Sequence, residues 1–321
     1  MRAPRFALGL AALALAAIGP ARAAPPPGLE DPEGKVVSEL VVRGVLPGPA
    51  WWTVQRGGSV VYILGLPDEP LPKGQRWDQA ALQRRVAGAS ALIVPVEPKA
   101  GLGDIPALLR MRSRLKSPLP MDQGLPEPLR ARFTAARAGL GKPLSRYDGW
   151  DPIAAGQILV IDFYDRARVT TKEPLAGIRR LASRQDVRVR PAASFRVVGL
   201  LDPAIRNLTP EMSRACLAEA LDEVEAGAGA LNSTGAAWAQ GDVAGVLAGP
   251  RGFSICLLLL QGGAAFWRQT IAQEVDAVAG ALNKPGHTVA VLPIRSLLAS
   301  DGVLSRLTAR GYQVSAEARK G

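Results

Sequence analysis

The sequence predicts an α/β fold, with α and β elements mixed and a central, mainly parallel β-sheet flanked by helices. Three observations predict it. Residues 60–64, 91–96 and 289–292 are short, nearly continuous apolar runs, the pattern of strands buried on both faces of a parallel sheet. The intervening segments place apolar residues at helical spacing, most clearly Phe266, Ile271, Val275, Val278 and Leu282. The order strand, helix, strand over residues 60–96 makes a parallel unit whose strand ends share one edge of the sheet.

At 321 residues, 48% hydrophobic and 21% charged, the chain suits one large globular domain. We divide it into a signal peptide over 1–23, a flexible leader over 24–48 and a single domain over 49–318. Arg2 and Arg5 are the positive start of the signal peptide, residues 6–18 its apolar stretch, and Ala21-Arg22-Ala23 its cleavage site. The rival reading is an uncleaved anchor helix, but the apolar run is shorter than the roughly 20 residues a span needs. The expected location is therefore periplasmic or secreted, with no integral membrane segment after cleavage.

The remaining elements follow in order. Pro25-Pro26-Pro27-Gly28 marks a mobile leader, and residues 38–42 form a short strand or an ordered arm. Residues 52–55 and 60–64 make a hairpin around Arg56-Gly57-Gly58. Asp78 caps a helix that runs to Val86. Helices are expected over 105–116, 127–140, 152–164 and 175–184, then a short strand over 187–189. Thr209 caps a helix with Pro210 at its first position. That helix runs to about residue 226, with a loop over 227–235 and a short helix over 236–247. The run 255–260 reads as a core strand, since it is too short to span a membrane. The stripe from Phe266 to Leu282 ends at Pro285-Gly286, before the strand 289–292. Asp301 caps the last helix, Gly311 closes it, and residues 312–314 form a final strand.

The formal net charge is +11; removing Arg2, Arg5 and Arg22 with the leader gives 11 − 3 = +8. The arginines are spread over Arg110/Arg112/Arg114, Arg130/Arg132/Arg137 and Arg179/Arg180/Arg184, without interleaved aromatics to stack bases. With export, this excludes nucleic acid as a partner. Solvated helix faces explain the pattern; attraction to an anionic envelope polymer or lipid headgroups is the functional reading. Cys216 and Cys256 form a disulfide in an oxidising compartment, or else are two small buried hydrophobes.

General catalytic motifs are missing. There is no Gly-x-Ser-x-Gly elbow, His-Glu-x-x-His, Cys-x-x-Cys or P-loop. The single histidine, His287, sits in a Lys-Pro-Gly-His turn and reads as surface.

Several pieces in one order resemble the TraB/GumN family. They are Pro49-Ala50-Trp51-Trp52 leading into residues 58–65, Ala91-Leu92-Ile93-Val94, Ala237-Trp238-Ala239-Gln240-Gly241-Asp242, Trp267-Arg268-Gln269, and the close over 289–291, 301–304 and 311–314. The resemblance implies a fold like that of the Tiki peptidases and the erythromycin-esterase and ChaN-like proteins. It also implies two Gly-x-x-His turns holding a divalent ion that activates water, with Gly65 and Arg268 beside the site. Here the histidine positions are Asp68 and Arg295, and Glu97 stands two residues past the position where the family places its glutamate, which is Pro95 here. Asp68, Glu97 and Arg295 are thus the degenerate site positions. A carboxylate can ligate Mg²⁺ or Mn²⁺, but a guanidinium cannot ligate.

We therefore expect no metal and no cofactor, with Asp68 and Arg295 paired across neighbouring strand ends and Glu97 at the rim. The expected role is non-catalytic binding or envelope association with an unidentified periplasmic partner. The competing expectation is a divergent metal-dependent hydrolase, peptidase-like, using Asp68 and Glu97 with a divalent metal.

Overall fold

The computed structural model describes residues 31–41, 48–121 and 123–317. The expected signal peptide, the first part of the expected leader and residues 42–47 lie outside the described residues. Residues 31–317 belong to one compact unit.

Among the described residues ten strands occur in chain order: β1 (Trp51–Arg56), β2 (Ser59–Leu66), β3 (Leu71–Pro72), β4 (Leu92–Val94), β5 (Glu97–Lys99), β6 (Val169–Thr170), β7 (Val189–Pro191), β8 (Ser194–Arg196), β9 (Gly286–Pro293) and β10 (Gln313–Ala316). Six of them make the central sheet, in the order β10-β1-β2-β9-β4-β7. β1 is antiparallel to β2 and β10, while β2, β9, β4 and β7 run parallel. The predicted hairpin is β1–β2, and Gly57 supplies its positive φ of 57°. The fold class is as predicted, a mixed α/β domain around a mainly parallel sheet.

The sheet adds one thing the local pattern did not contain. β9 comes late in the chain yet inserts between β2 and β4. Its Val289, Ala290, Val291 and Leu292 are fully buried, as a central strand requires. The register sets Leu64 beside Val291, Gly65 beside Leu292 and Leu66 beside Pro293. Both strands therefore end level, and the turns that follow them emerge side by side.

Four expectations need correction. The run 255–260 is not a strand: all but Leu260, which caps it, belongs to the helix Ser254–Leu259. A short apolar run without a period fits either element, and here Phe253, Cys256 and Leu260 pack on the helix carrying Cys216 and Ala220. The expected loop 227–235 is helical: Pro210–Ala239 is interrupted only at Gly227, with φ 75°. The last helix, Val303–Ala309, is preceded by Gly302, and Asp301 makes no cap; its carboxylate instead accepts from Arg306 Nε at 2.8 Å. Finally, the leader is an ordered arm over residues 31–41. Val37 N–H donates to Leu298 O at 2.9 Å, Ser300 N–H to Lys35 O at 2.8 Å, and Trp52 Nε1 to Leu40 O at 3.0 Å.

Other local signals hold. Thr209 Oγ1 accepts from Met212 N–H at 3.2 Å, and Gly311 has φ 82°; Asp78, by contrast, lies one residue before the cap position Gln79 of the helix Ala80–Val86, where its Oδ1 accepts from Ala80 N–H at 2.8 Å. Besides the main core around the sheet, a helical layer packs on Phe133, Tyr147, Leu159 and Leu221. Cys216 and Cys256 are disulfide-bonded, with Cα atoms 5.3 Å apart, joining the helices Pro210–Ala239 and Ser254–Leu259. No described helix is long and apolar enough to cross a membrane.

Candidate functional site

The carboxyl ends of parallel strands are where α/β sheets gather functional groups. Here β2 runs into Pro67-Asp68-Glu69-Pro70, and β9 into the short helix Ile294–Leu298. In the first turn Asp68 is exposed while Glu69 turns inward and is buried. In the second, Arg295 and Ser296 are buried. Arg295 Nε donates to Glu69 Oε1 at 3.1 Å, and its Nη2 lies 3.0 Å from the same oxygen. Nη2 also donates to Leu247 O at 3.2 Å and Gly249 O at 3.1 Å. The charge is thereby neutralised and its donors engaged, as a buried guanidinium requires. Glu69 Oε2 has no partner.

Further acids surround the pair. The arm brings Glu33, whose Oε1 accepts from Trp267 Nε1 at 3.0 Å and Ser296 Oγ at 3.2 Å. Its Oε2 accepts from Arg251 at 2.8 Å. Glu274 on the helix Gly263–Ala281 is 1% exposed, and its Oε2 is also unpartnered. Burial pushes its pKa up to about 8, against the Val96 amide, which pulls it down, so burial favours its neutral form. Burial likewise raises Glu33 and Glu69, with Arg295 opposing in both. Asp68 touches solvent, but protein surrounds its carboxyl on the other sides. That desolvation and the nearby Glu33 and Glu69 raise its pKa well above the usual carboxylate range, while Arg295 pulls it back. Direct access to water moderates the effect. Asp68 and Glu69 line a small recess of about 160 Å³ shared with Leu66, Pro95, Glu173 and Pro293.

The TraB/PrgY/gumN family model matches residues 50–316. The chain belongs to that family. No curated protein and no solved structure matches it.

In this family member the two strand-end turns converge as the resemblance implies, but the predicted pairing is displaced by one residue. Glu69, not Asp68, holds Arg295. The bend at Asp68-Glu69 opens Asp68 to solvent and delivers Glu69 to the interior. Glu97 is not at the rim. It begins β5, which pairs with β8 outside the central sheet, and its carboxylate is bound by Arg179. Arg268 is exposed and Trp267, its neighbour, is the residue that reaches the site. Gly65 has a packing role: a Cβ there would lie 2.6 Å from Ile294 and 2.7 Å from Trp52. Its carbonyl accepts from Trp238 Nε1 at 2.8 Å. His287 lies at the opposite end of β9, where Nε2 meets Arg85 O at 3.0 Å.

A divalent ion between the two turns would need ligands from both. The second turn offers a guanidinium, which has no lone pair to give and is engaged by Glu69. The residues present do not make a metal-ligand set there. Among the described residues no group of three or more His, Cys, Asp or Glu is arranged to hold a metal ion.

Sequence reasoning missed Glu69, Glu33 and Glu274. Glu274 carried a usable signal: it sits inside the apolar stripe with Ile271, Val275 and Val278, where a carboxylate is buried without need unless it has a role. Glu33 carried none, because it lies in a Pro- and Gly-rich stretch.

Proposed function

We propose that this TraB/PrgY/gumN member is an exported, periplasmic binding protein, associated with the envelope, in which a buried ion pair stands where the resemblance implies a metal. The observation that carries this reading is the Glu69–Arg295 pair, whose Nη2–Oε1 distance is 3.0 Å. A cation beside it would meet the guanidinium charge at short range. The leader with its Ala-x-Ala site supports export.

The competing reading is a divergent hydrolase. Asp68, exposed in its recess and raised in pKa, is the observation in its favour, since a raised carboxyl pKa is the shift a general acid needs. Its expected second carboxyl, Glu97, is bound to Arg179 instead.

Calorimetric titration of the purified exported protein with Zn²⁺ and Mn²⁺, alongside peptidase assays with and without chelator, separates the two. The binding-protein reading expects no stoichiometric metal and no chelator-sensitive hydrolysis. Stoichiometric metal together with hydrolysis lost in Asp68→Asn would overturn it.

A further inference from the structure

Of the seven large apolar side chains exposed among the described residues, four are grouped. Leu102 is 87% exposed, Ile105 47%, Leu108 37% and Leu109 62%. All four fall in the short 3₁₀ turn Leu102–Asp104 and the helix Ile105–Arg114 that continues it. On a helix, positions 102, 105 and 109 follow one another at i+3 and i+4 and share a face. Met111 is buried on the other side, so the outward apolar face is additional to the one that packs. Apolar side chains grouped in this way mark an interaction surface.

The charge around the face is one-sided. Residues 98–119 contain Lys99, Arg110, Arg112, Arg114 and Lys116 against one acid, Asp104, giving 5 − 1 = +4. Asp104 is buried and bonded to Arg196, so it does not offset the outward charge. Lys99, Arg110, Arg112, Arg114 and Lys116 are all exposed. An apolar face rimmed by cations on an element too short to span is the physical form of an interfacial lipid-binding segment. Apolar side chains enter the acyl boundary while the cations meet anionic headgroups.

We propose that the segment 102–114 is a membrane-docking surface that seats this protein on an anionic lipid bilayer through Leu102, Ile105 and Leu109, with Arg110 and Arg112 on the headgroups. The proposal names the envelope component of the binding-protein reading, but its failure would leave the metal test untouched. Pro106 at the second helical position and the packing of Met111 hold the helix in place, so the face is presented ready formed. Insertion then needs no folding step.

The test is co-sedimentation of the exported protein, leader removed, with phosphatidylglycerol/phosphatidylethanolamine vesicles and with phosphatidylcholine vesicles. We expect binding to the anionic vesicles at low salt, weakened at roughly 0.5 M NaCl, where the Debye length shrinks to a few Å. Leu102→Asp/Leu109→Asp should lower the partition coefficient by about tenfold or more with an unchanged thermal melt, because both side chains lie outside the core. Arg110→Glu/Arg112→Glu should abolish the preference for anionic lipid. Equal binding by the Leu→Asp variant, or equal binding to phosphatidylcholine, would overturn the proposal. So would a dimer in solution that the same variant disrupts without any vesicle binding, since the face would then be a self-interface. Should the double variant fail to fold, Leu109→Trp in the otherwise native chain reports insertion by a blue-shifted emission; no change of emission on anionic vesicles refutes it.

Discussion

Removing the Glu69 carboxylate leaves the Arg295 guanidinium buried, hydrogen-bonded to the Leu247 and Gly249 carbonyls and facing Glu33 and Asp68 only at longer range. Breaking a buried pair from one side costs about 3–5 kcal/mol, because the remaining charge loses its hydrogen-bonded counter-charge. Glu69→Ala should therefore lose roughly that amount in a urea unfolding series, with the slope unchanged. Asp68→Ala, at an exposed position, should stay within about 0.5–1 kcal/mol. The reverse order would mean that Asp68 holds the guanidinium. Both residues were visible as an Asp-Glu dipeptide after a strand. Which of two consecutive acids faces inward depends on the turn's dihedral angles, and a one-residue slip exchanges their roles.

The helix Pro210–Ala239 shows how far an element's identity depends on its neighbours. Its start was readable from Thr209-Pro210, where capping chemistry is local. Its passage through Gly227 was not, because tertiary packing carries the chain back into helix beyond the break, burying Leu231 and Trp238. The helix Ser254–Leu259 is likewise set by what it meets, the face around Cys216. The disulfide ties these two elements with a sequence separation of 40. A loop of that length corresponds to about 4 kcal/mol on the chain-entropy model. Cys216→Ser/Cys256→Ser, or the reduced native protein, should melt about 8–16 °C lower, at the 2–4 °C per kcal/mol typical of chains this size. An unchanged melting temperature would show that the bridge adds nothing to the packing already present.

At the scale of the molecule four buried glutamates share one bias, toward the neutral form. Glu33, Glu69, Glu223 and Glu274 are buried with raised pKa values, burial being the largest cause in each. A carboxyl whose folded pKa exceeds its unfolded value contributes stability that is fully present below the unfolded value. That stability is lost as pH rises through the folded one. For Glu274 the window runs from 4.5 to about 8. A tenfold change in proton affinity is worth about 1.4 kcal/mol, so ionising this carboxyl costs on the order of a few kcal/mol. The melting temperature should fall between pH 5 and pH 9, and Glu274→Gln should flatten the upper part of that fall. At pH 9 the variant should melt above the parent by about 5 °C or more. A variant whose profile runs parallel to the parent's would rule out Glu274 as the titrating group.

The class of fold followed from sequence alone because its signals are short-ranged. Continuous apolar runs mark strands covered on both faces, periodic stripes mark helices, and caps such as Thr209 mark helix ends. The two strand-end turns were legible for the same reason; the pairing of the two cysteines was left open, because a sequence holds no distance between them. What lay beyond reach was set by contacts between distant segments. The insertion of β9 between β2 and β4, the docking of Glu33 from the arm and the choice of Glu69 over Asp68 each join residues far apart in the chain, 226 positions for Glu69 and Arg295 and 234 for Glu33 and Trp267. No local spacing encodes such partners, because strand order and burial are properties of the packed chain. Sequence thus determined the elements and the sheet edge where the site lies; the tertiary structure decided which side chains meet there and that they close it with a buried ion pair.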